Sequence, residues 1–196
     1  MDSSNKVKIA GLILAGGEGK RFGGPKALAK YRNETFLEMI VRNLWGAADF
    51  ITVVAGAAFD QVKMESDRLG LPTIKNENWT EGQFTSLKAG LREVPSEFDC
   101  VLIALVDHPF VKKSTYAALR QRYIDYPERI IIPIYDNRRG HPIILPTTLI
   151  STVLKNSNKS NLREILREYA LDVYECPVED EGILRDIDRK GNLEGQ

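Results

Sequence analysis

The sequence predicts a Rossmann-like three-layer α/β/α fold, in which helices cover both faces of a mostly parallel, doubly wound sheet. Two observations support this prediction. Apolar segments rich in β-branched residues alternate along the chain with longer segments that carry apolar residues at helical spacing. Segments 8–15, 50–56 and 100–107 are almost continuously apolar, which is typical of strands covered on both faces. Such alternation favours parallel strands joined by helical crossovers.

The individual elements follow from these patterns in chain order. The predicted strands are "KIAGLILA" (8–15), "FITVVAG" (50–56), "LPTIKN" (71–76), "CVLIALVD" (100–107), "RIIIPIY" (129–135), "PIILP" (142–146) and "DVYECPV" (172–178). The predicted helices are "TFLEMIVRNLWGA" (35–47), "FDQVKMESDRLG" (59–70), "GQFTSLKAGLREV" (82–94), "TYAALRQRYIDY" (115–126) and "NLREILREYA" (161–170). Thr35 and Ser114 are predicted helix caps, because hydroxyl side chains commonly satisfy the free N–H groups of a first turn.

Composition narrows the class of protein. The 196 residues suit one domain, 1–196, and the 27 basic and 27 acidic side chains balance, so no broad nucleic-acid-binding face is expected. Cys100 and Cys176 lie in predicted strands and cannot form a disulfide framework or a paired-cysteine zinc site. The start "MDSSNKVK" lacks an apolar signal core, and no apolar run approaches the roughly 18 residues of a membrane span. A cytoplasmic protein without membrane or nucleic-acid partners is expected.

Four polar or glycine-rich segments should lie at one edge of the sheet. They are "AGGEGKRFGGPK" (15–26), "NENWTEG" (76–82), "VDHP" (106–109) and "DID" (186–188). In doubly wound sheets, ligands bind outside the carboxyl ends of the strands. The sequence therefore predicts a binding site at this edge.

The glycine-rich segment after the first strand matches neither of two well-known phosphate-binding loops. The dinucleotide fingerprint needs a sixth-position glycine, where counting from Gly17 gives Phe22, and an acidic residue after the second strand, where the chain has Ala55-Gly56. The P-loop needs glycine at the position of Leu14 and Ser or Thr at the position of Arg21. Both loops are excluded.

The remaining interpretation is a different anion-binding loop. Gly16, Gly17 and Gly19 allow backbone N–H groups to approach a ligand closely. Arg21 and Lys26 supply charged donors for several phosphate oxygens, as a nucleoside triphosphate requires. A glycine-rich surface turn is the alternative that these residues leave open.

A family resemblance favours the nucleotide. "LILAGGEGKRFGGPKAL" (12–28) resembles the signature loop of nucleotidyltransferases that activate sugars and cofactors with a nucleoside triphosphate. Within that superfamily, "NENWTEGQFTSLKAGL" (76–91), "LVDHPFV" (105–111), "RRGHPIIL" (138–145) and "RDIDRKGNL" (185–193) resemble the molybdenum cofactor cytidylyltransferase and guanylyltransferase group. The resemblance runs in order from residue 9 to about residue 193, and it implies the fold of the nucleotide-diphospho-sugar transferases.

The resemblance also implies roles for individual residues. The implied catalytic residues are Arg21, Lys26 and Asp107. The implied nucleotide-binding residues are Leu14, Ala15, Gly16, Gly17, Gly19, Arg21, Lys26, Asn76, Gly82, Ser86 and Asp107. Asp107 and Asp188 are the implied Mg²⁺ ligands, and Gly140, His141 and Pro142 lie near the implied acceptor. Val106 stands where the family usually has glycine, and "RKGNLEG" follows Asp188 where the family has Thr-Pro and an acidic helix.

The implied reaction moves a nucleoside monophosphate from CTP to the terminal phosphate of molybdopterin and releases pyrophosphate. Gly16 stands where the cytidylyl branch usually has alanine, so GTP stays open as the nucleotide. A sugar-phosphate acceptor also stays open, as does a molybdoenzyme partner that receives the cofactor. An accessory protein that binds molybdopterin without turnover is the alternative of another class.

Several residues carry a structural alternative. Asp107 is also a typical turn-capping residue, Asp188 a typical solvated charge, and Ser86 a typical residue of a first helical turn. His108 and His141 lack the spacing of zinc ligands. The aromatic residues Trp45, Trp79 and Tyr116 are interpreted as packing residues.

Overall fold

A mixed sheet forms the middle layer of the molecule, whose computed structural model describes residues 6–158, 160–168 and 172–193. The strands are β1 (Ile9–Ala15), β2 (Lys30–Tyr31), β3 (Glu34–Thr35), β4 (Phe50–Ala55), β5 (Thr73–Lys75), β6 (Cys100–Leu105), β7 (Ile130–Tyr135), β8 (Arg138–Arg139), β9 (Ile143–Pro146) and β10 (Val173–Pro177). The helices are α1 (Phe36–Leu44), α2 (Phe59–Arg68), α3 (Gln83–Arg92), α4 (Lys113–Asp125), α5 (Ile150–Lys155) and α6 (Leu162–Glu168). Residues 169–170 of the last predicted helix lie outside the described residues.

The strand order is β10-β7-β9-β6-β1-β4-β5, with β8 paired to β7 and with β2 and β3 forming a separate ribbon. β1 pairs in parallel with both β4 and β6, and β4 with β5. β9 runs antiparallel to β6 and β7. The predicted fold class is therefore confirmed, and each predicted strand has its counterpart in the sheet.

Helices cover both faces of the central strands. Alternate residues of β1 point to opposite sides, so that Ile9 and Ile13 pack with α1, α2 and α4, whereas Leu12 and Leu14 pack with α3, α5 and α6. Cys100 and Cys176 are free and buried within the sheet. In the described part of the chain, no helix is both long and apolar enough to cross a membrane.

Gly90 lets helix α3 pack directly against the sheet. A methyl group at Gly90 would stand 2.5 Å from a methyl carbon of Leu12 and 2.9 Å from one of Val54. The missing side chain lets the helix rest directly on β1 and β4. This contact places the first turn of α3 at the carboxyl edge of the sheet.

The predicted caps have different outcomes. Thr35 forms a capping box with Glu38 at the start of α1, as predicted. The prediction for Ser114 is wrong, because α4 begins at Lys113 and Ser114 lies inside it. Its first turn is bonded instead by Asp180, which accepts from the Lys112 N–H at 2.8 Å and the Thr115 hydroxyl at 2.6 Å.

The predictions for two of the packing residues, Tyr116 and Trp45, also have different outcomes. Tyr116 is buried in α4, as predicted. The prediction for Trp45 is wrong, because its side chain is 63% exposed. It follows the last residue of α1, where the amphipathic face that packs on the sheet has ended.

We predict that Asp180→Asn lowers the free energy of unfolding by about 1–3 kcal/mol. Asp180 is buried and accepts three hydrogen bonds, the third from the Gly182 N–H, and an amide nitrogen would face donors in part of this arrangement. Urea denaturation measures the effect. The neighbouring exposed carboxylate offers the control Glu179→Gln, and equal stability of the two variants would contradict this account of α4.

Candidate functional site

A cleft of about 380 Å³ opens at the carboxyl ends of β1 and β6. This first cleft is lined by the predicted residues Leu14, Gly16, Gly17, Gly19, Arg21, Lys26, Gly82, Ser86, Asp107 and Asp188. Its lining also includes Glu18, Lys20, Phe22, Trp79, Gln83 and Val106, which were not predicted as site residues. Of the remaining predicted residues, Ala15, Asn76, Gly140, His141 and Pro142 are not among those that line it.

Backbone hydrogen bonds bring the ends of β1 and β6 and the segment around Asp188 together at this cleft. The Val106 N–H donates to the Leu14 carbonyl at 3.1 Å, which continues the β1–β6 pairing beyond the strands. The Ile187 N–H then donates to the Asp107 carbonyl at 2.8 Å. This bond holds the tail against the end of β6, so that Asp188 comes to lie beside residues far from it in sequence.

Four charged side chains meet there, and we call Arg21, Lys26, Asp107 and Asp188 the Lys26 cluster. The Lys26 ammonium lies 2.5 Å from Asp188 Oδ1 and 3.6 Å from Asp107 Oδ2. Its side chain is only 15% exposed. Arg21 lies farther out, 3.9 Å from Asp188 Oδ2 and 77% exposed. Water and salt screen an exposed pair strongly, so Lys26 is the cation that organises the cluster.

The cluster changes the acidity of its tail carboxylate. The hydrogen bond and the charge of Lys26 lower the pKa of Asp188 below its ordinary value of 3.8, and Arg21 adds a smaller effect of the same sign. Asp188 is therefore ionised at neutral pH. It can neutralise a cation or orient one toward an incoming anion.

Asp107 retains one free oxygen that suits a hard cation. Its Oδ1 atom is buried and has no hydrogen-bond partner among the described residues. Because Oδ2 faces Lys26, Oδ1 is the Asp107 oxygen that remains available to accept a ligand. No group of three or more metal-binding side chains occurs in the part of the chain that is described. One or two carboxylates completed by phosphate oxygens and water are the usual protein set for Mg²⁺, and these residues fit that set.

Three of the five glycines in the loop, Gly16, Gly17 and Gly19, differ in what requires them. Gly19 has φ of +65°, and a side chain there would stand 1.9 Å from the Gly24 carbonyl oxygen. Its own carbonyl accepts from the N–H groups of Phe22 and Gly23, both at 2.9 Å. At Gly16 a methyl group would stand 2.3 Å from the Ser86 hydroxyl. Gly17 has no atom near its added carbon, so packing within the chain gives no reason for glycine there.

A buried polar network holds Ser86 in place. The Asn76 side-chain nitrogen donates to the hydroxyls of Thr85 and Ser86, both at 2.9 Å. The Asn76 oxygen accepts from the Asn78 N–H at 3.0 Å. Asn76 therefore lies beneath the cleft and positions Ser86 there. The hydroxyl of Ser86 accepts this bond and retains its own proton for a ligand.

The loop before α3 also contributes an aromatic wall. Trp79 begins a short 3-10 turn, Trp79–Glu81, and its side chain lines the first cleft. A methyl group at Gly56 would stand 2.6 Å from Trp79 Cβ, so the glycine after β4 makes room for the indole. The interpretation of Trp79 as a packing residue is incomplete. The signal that identifies it is its position between two predicted site residues, Asn76 and Gly82.

The residues predicted near the acceptor lie beside an adjoining cleft. His141 lines this second cleft, whose volume is about 390 Å³ and which shares Leu14, Gly82 and Gln83 with the first. Gly140 has a packing role, because a methyl group there would stand 2.3 Å from the Ile183 carbonyl oxygen. Burial lowers the pKa of His141 to about 4, with a smaller contribution from His108, whose ring centroid lies 5.5 Å away. Both imidazoles are neutral at pH 7, since burial also lowers the pKa of His108.

We predict that replacing Gly19 or Gly17 with alanine changes the stability of the folded protein by different amounts. Gly19→Ala should lower the free energy of unfolding by more than about 1 kcal/mol, because its φ and the Gly24 carbonyl both oppose a side chain. Gly17→Ala should change it by less than about 0.5 kcal/mol. Thermal and urea unfolding of the two variants provide the comparison, and the reverse order would contradict the loop geometry.

We predict that Lys26→Met raises the pKa of Asp188 toward 3.8. The ion pair stabilises the folded protein at pH values above 3.8, and this stabilisation is lost as the pH falls through the lowered folded-state pKa. Carboxyl NMR titration measures it directly. Lys20→Met is the control, because Lys20 pairs with Glu18 at 2.9 Å in the same loop. An unchanged Asp188 pKa in Lys26→Met would show that Lys26 does not cause the shift.

Comparison with known proteins identifies the family of this chain. A family model described as a MobA-like NTP transferase domain matches residues 11–173. The nicotine blue oxidoreductase of Paenarthrobacter nicotinovorans is 30% identical to this chain, and the match covers 92% of each protein. The molybdenum cofactor cytidylyltransferase of Escherichia coli is 24% identical, covering 90% of this chain and 89% of its own. A probable molybdenum cofactor guanylyltransferase of Bacillus cytotoxicus is 28% identical, covering 67% and 64%.

A solved structure extends the likeness in fold. The crystal structure of Rv0371c from Mycobacterium tuberculosis H37Rv superposes with a TM-score of 0.81 at 24% identity, covering 95% of each chain. The family model spans most of the chain, including the glycine loop, Ser86 and Asp107. The resemblance noted in the sequence is thereby confirmed, and the chain belongs to the MobA-like NTP transferase family.

Proposed function

We propose that this protein transfers CMP from CTP to the terminal phosphate of molybdopterin and releases pyrophosphate. The observation that carries the proposal is the convergence of Lys26 with Asp107 and Asp188 in a cleft walled by a glycine loop. Such an arrangement suits a polyanion, because it offers a cation, backbone N–H groups and carboxylates that suit Mg²⁺. Relatives named for the molybdenum cofactor support the choice of acceptor.

The chemistry requires positioning and charge neutralisation. An oxygen of the acceptor phosphate forms a bond to the α-phosphorus, while the bond to the bridging oxygen breaks and its electron pair leaves with pyrophosphate. A phosphate monoester has a second pKa of about 6, so the nucleophile is already ionised at neutral pH and needs no general base. This agrees with the two neutral histidines. Lys26 and Arg21 would donate to phosphate oxygens and stabilise the charge that develops there.

Mg²⁺ is the proposed cofactor. Asp107 would hold it through the unpartnered Oδ1 atom, with Asp188 as the second carboxylate. When bound, the ion would neutralise charge on the phosphate oxygens. The tail that supplies Asp188 lies beyond the matched region, which ends at residue 173. Because Asp188 nevertheless lines the cleft, we include the tail in the proposed domain, residues 1–196.

The contact between Gly16 and Ser86 supports CTP over GTP. Glycine at position 16 resembles the guanylyl branch, but here the Ser86 hydroxyl occupies the space of a side chain. The glycine is thus explained without a purine. Ser86, held by Asn76, has a proton to donate to the carbonyl oxygen or ring nitrogen of a cytosine.

The oxidoreductase named among the relatives is a competing model for the chemistry. A nicotinamide dinucleotide site of the usual kind needs its glycine fingerprint and an acidic residue after the second strand. Here β4 ends at Ala55, and the following Gly56 packs against Trp79. These two features favour nucleotidyl transfer for this chain.

We predict that the wild-type protein releases pyrophosphate when it is mixed with CTP, Mg²⁺ and molybdopterin. Lys26→Ala should weaken CTP binding by about tenfold or more, since one charge-assisted contact contributes about 1.5–3 kcal/mol. Asp107→Asn should abolish turnover yet retain most of the CTP affinity, because the loop cations still hold the phosphates. Coupled pyrophosphate assays and calorimetry separate these effects.

Lys63→Ala is the matched control, because Lys63 lies on α2 and pairs with Asp67 away from the cleft.

Competition between CTP and GTP tests which base the protein prefers, with Ser86→Ala expected to reduce the preference for CTP. A clear preference for GTP would transfer the protein to the guanylyl reaction. Turnover without a divalent metal, or full turnover in Asp107→Asn, would contradict the proposed metal site.

A further inference from the structure

An arginine and two aromatic rings form a stack that lies outside both clefts. The guanidinium carbon of Arg185 lies 4.8 Å from the centre of the Phe110 ring. The Phe110 and Tyr31 rings meet edge to face, with centroids 5.1 Å apart and an interplanar angle of 89°. We call Arg185, Phe110 and Tyr31 the Arg185 stack. Its members are half-buried, and none of them lines the first or the second cleft. Both contacts are attractive, because the face of an aromatic ring is negative and meets a cation or a positive ring edge.

The stack joins the two segments that supply the carboxylates of the Lys26 cluster. Arg185 lies three positions before Asp188, and Phe110 lies three positions after Asp107. The backbones of these segments also pack closely, because a methyl group at Gly182 would stand 2.5 Å from the Phe110 carbonyl oxygen. The stack therefore adds a side-chain contact, outside the first cleft, between the two segments whose carboxylates line the cleft.

Tyr31 extends the stack to the third segment of the cluster. It ends β2, five positions after Lys26. Among the described residues, no backbone hydrogen bond joins segment 25–35 to segment 105–111 or to the tail 180–193. Side chains therefore hold these segments together. Their contacts include the ion pairs of Lys26 inside the cleft and the ring contact of Tyr31 outside it.

Arg185 also closes the loop that presents Asp188. A terminal guanidinium nitrogen of Arg185 donates to the Asn192 carbonyl at 3.0 Å, so this side chain bridges the two ends of the loop 185–192. A planar guanidinium can stack through its face while its edge donates hydrogen bonds, which a lysine cannot do. Asn192 belongs to the stretch after Asp188 that departs from the residues usual in the family. The Arg185 side chain thus ties this unusual stretch to the ring that follows Asp107.

We propose that Arg185 is a positioning residue for the divalent cation, because its stacking on Phe110 fixes the loop that presents Asp188 beside Asp107. This inference rests on the proposed function and deepens its metal site. Two carboxylates bind a hard cation well when they are already held in place, since no ordering is then required on binding. Arg185 acts through Asp188 and lies outside the cleft. Loss of the stack should weaken cation binding and leave the contacts of the glycine loop with the nucleotide intact.

Titration with Mn²⁺, followed by electron paramagnetic resonance, tests this proposal. The full chain is used with α,β-methylene-CTP, which cannot be turned over. Arg185→Ala should raise the Kd for Mn²⁺ about fivefold or more, because a partly shielded cation–π contact is lost. Arg32→Ala is the matched control, since Arg32 lies 5.2 Å from the centre of the Tyr31 ring but belongs to the β2–β3 ribbon. Its Kd for Mn²⁺ should equal that of the parent.

Substitutions of Phe110 separate stacking from apolar bulk. Phe110→Leu removes the ring and should weaken Mn²⁺ binding as much as Arg185→Ala does. Phe110→Tyr retains the ring and should retain the affinity of the parent. The double variant of Arg185→Ala and Phe110→Leu should bind no more weakly than either single variant, because both remove the same contact. If Arg185→Ala fails to fold, Phe110→Leu and Phe110→Tyr decide the proposal by themselves.

Nucleotide binding without a divalent cation distinguishes positioning from a general structural role. Affinity for the CTP analogue in the presence of a chelator should be the same in the parent and in Arg185→Ala, whereas a general loss of folding would lower both affinities. Equal Mn²⁺ affinity in the parent, Arg185→Ala and Phe110→Leu would overturn the proposal. Additive losses in the double variant would also overturn it, because the two residues would then act independently.

This inference and the proposed function fail separately. If the variants lose Mn²⁺ affinity as expected although no nucleotide is transferred to any acceptor, Arg185 is a positioning residue and the proposed reaction is wrong. If CMP transfer requires a divalent cation but the variants bind Mn²⁺ as the parent does, the reaction stands and Arg185 does not position the site. A parent protein that binds no Mn²⁺ would contradict both the proposed metal site and this inference.

Discussion

The ion pairs of Lys26 join three distant parts of the chain and define the site. One ammonium contacts a carboxylate at the end of β6 and another in the tail, and it belongs to the loop that leaves β1. Each carboxylate alone would repel a polyphosphate. Because the Lys26 ammonium contacts both of them and its side chain is only 15% exposed, the cluster offers a cation to an anion and carboxylate oxygens that suit a hard cation. This cluster forms only if the tail, the loop and the central strands are correctly positioned relative to one another.

Close packing at three glycines sets these relative positions. Gly90 lets α3 rest on the sheet, Gly56 makes room for Trp79, and Gly16 makes room for the Ser86 hydroxyl. Each of these glycines is explained by a neighbouring atom. Among Gly16, Gly17 and Gly19, only Gly17 has open space in front of it; the phosphate-binding role that we propose for the loop would account for glycine there. The same sequence signal thus contains glycines that packing requires and one that packing within the chain does not explain.

The sequence predicted the strands well because apolar runs covered on both faces are distinctive, and it placed the four site segments at one edge. It did not predict that β9 runs antiparallel, since periodicity carries no direction, or that α5 forms, since six residues give little pattern. Ser114 was mistaken for a cap because the true partner, Asp180, is distant in sequence. The burial of Lys88 was not predicted, because it depends on the contact between its ammonium and the Asn156 carbonyl, 68 positions away in sequence.

We propose that the Lys26 cluster supports formation of a bond between the α-phosphorus of CTP and an acceptor phosphate. Phosphorus NMR of a reaction containing the protein, CTP, Mg²⁺ and molybdopterin tests it most directly. We expect a new pair of coupled diphosphate signals and an equal amount of free pyrophosphate, both of which should be missing with Lys26→Ala. Hydrolysis of CTP without a new diphosphate linkage, or the same product from Lys26→Ala, would contradict it.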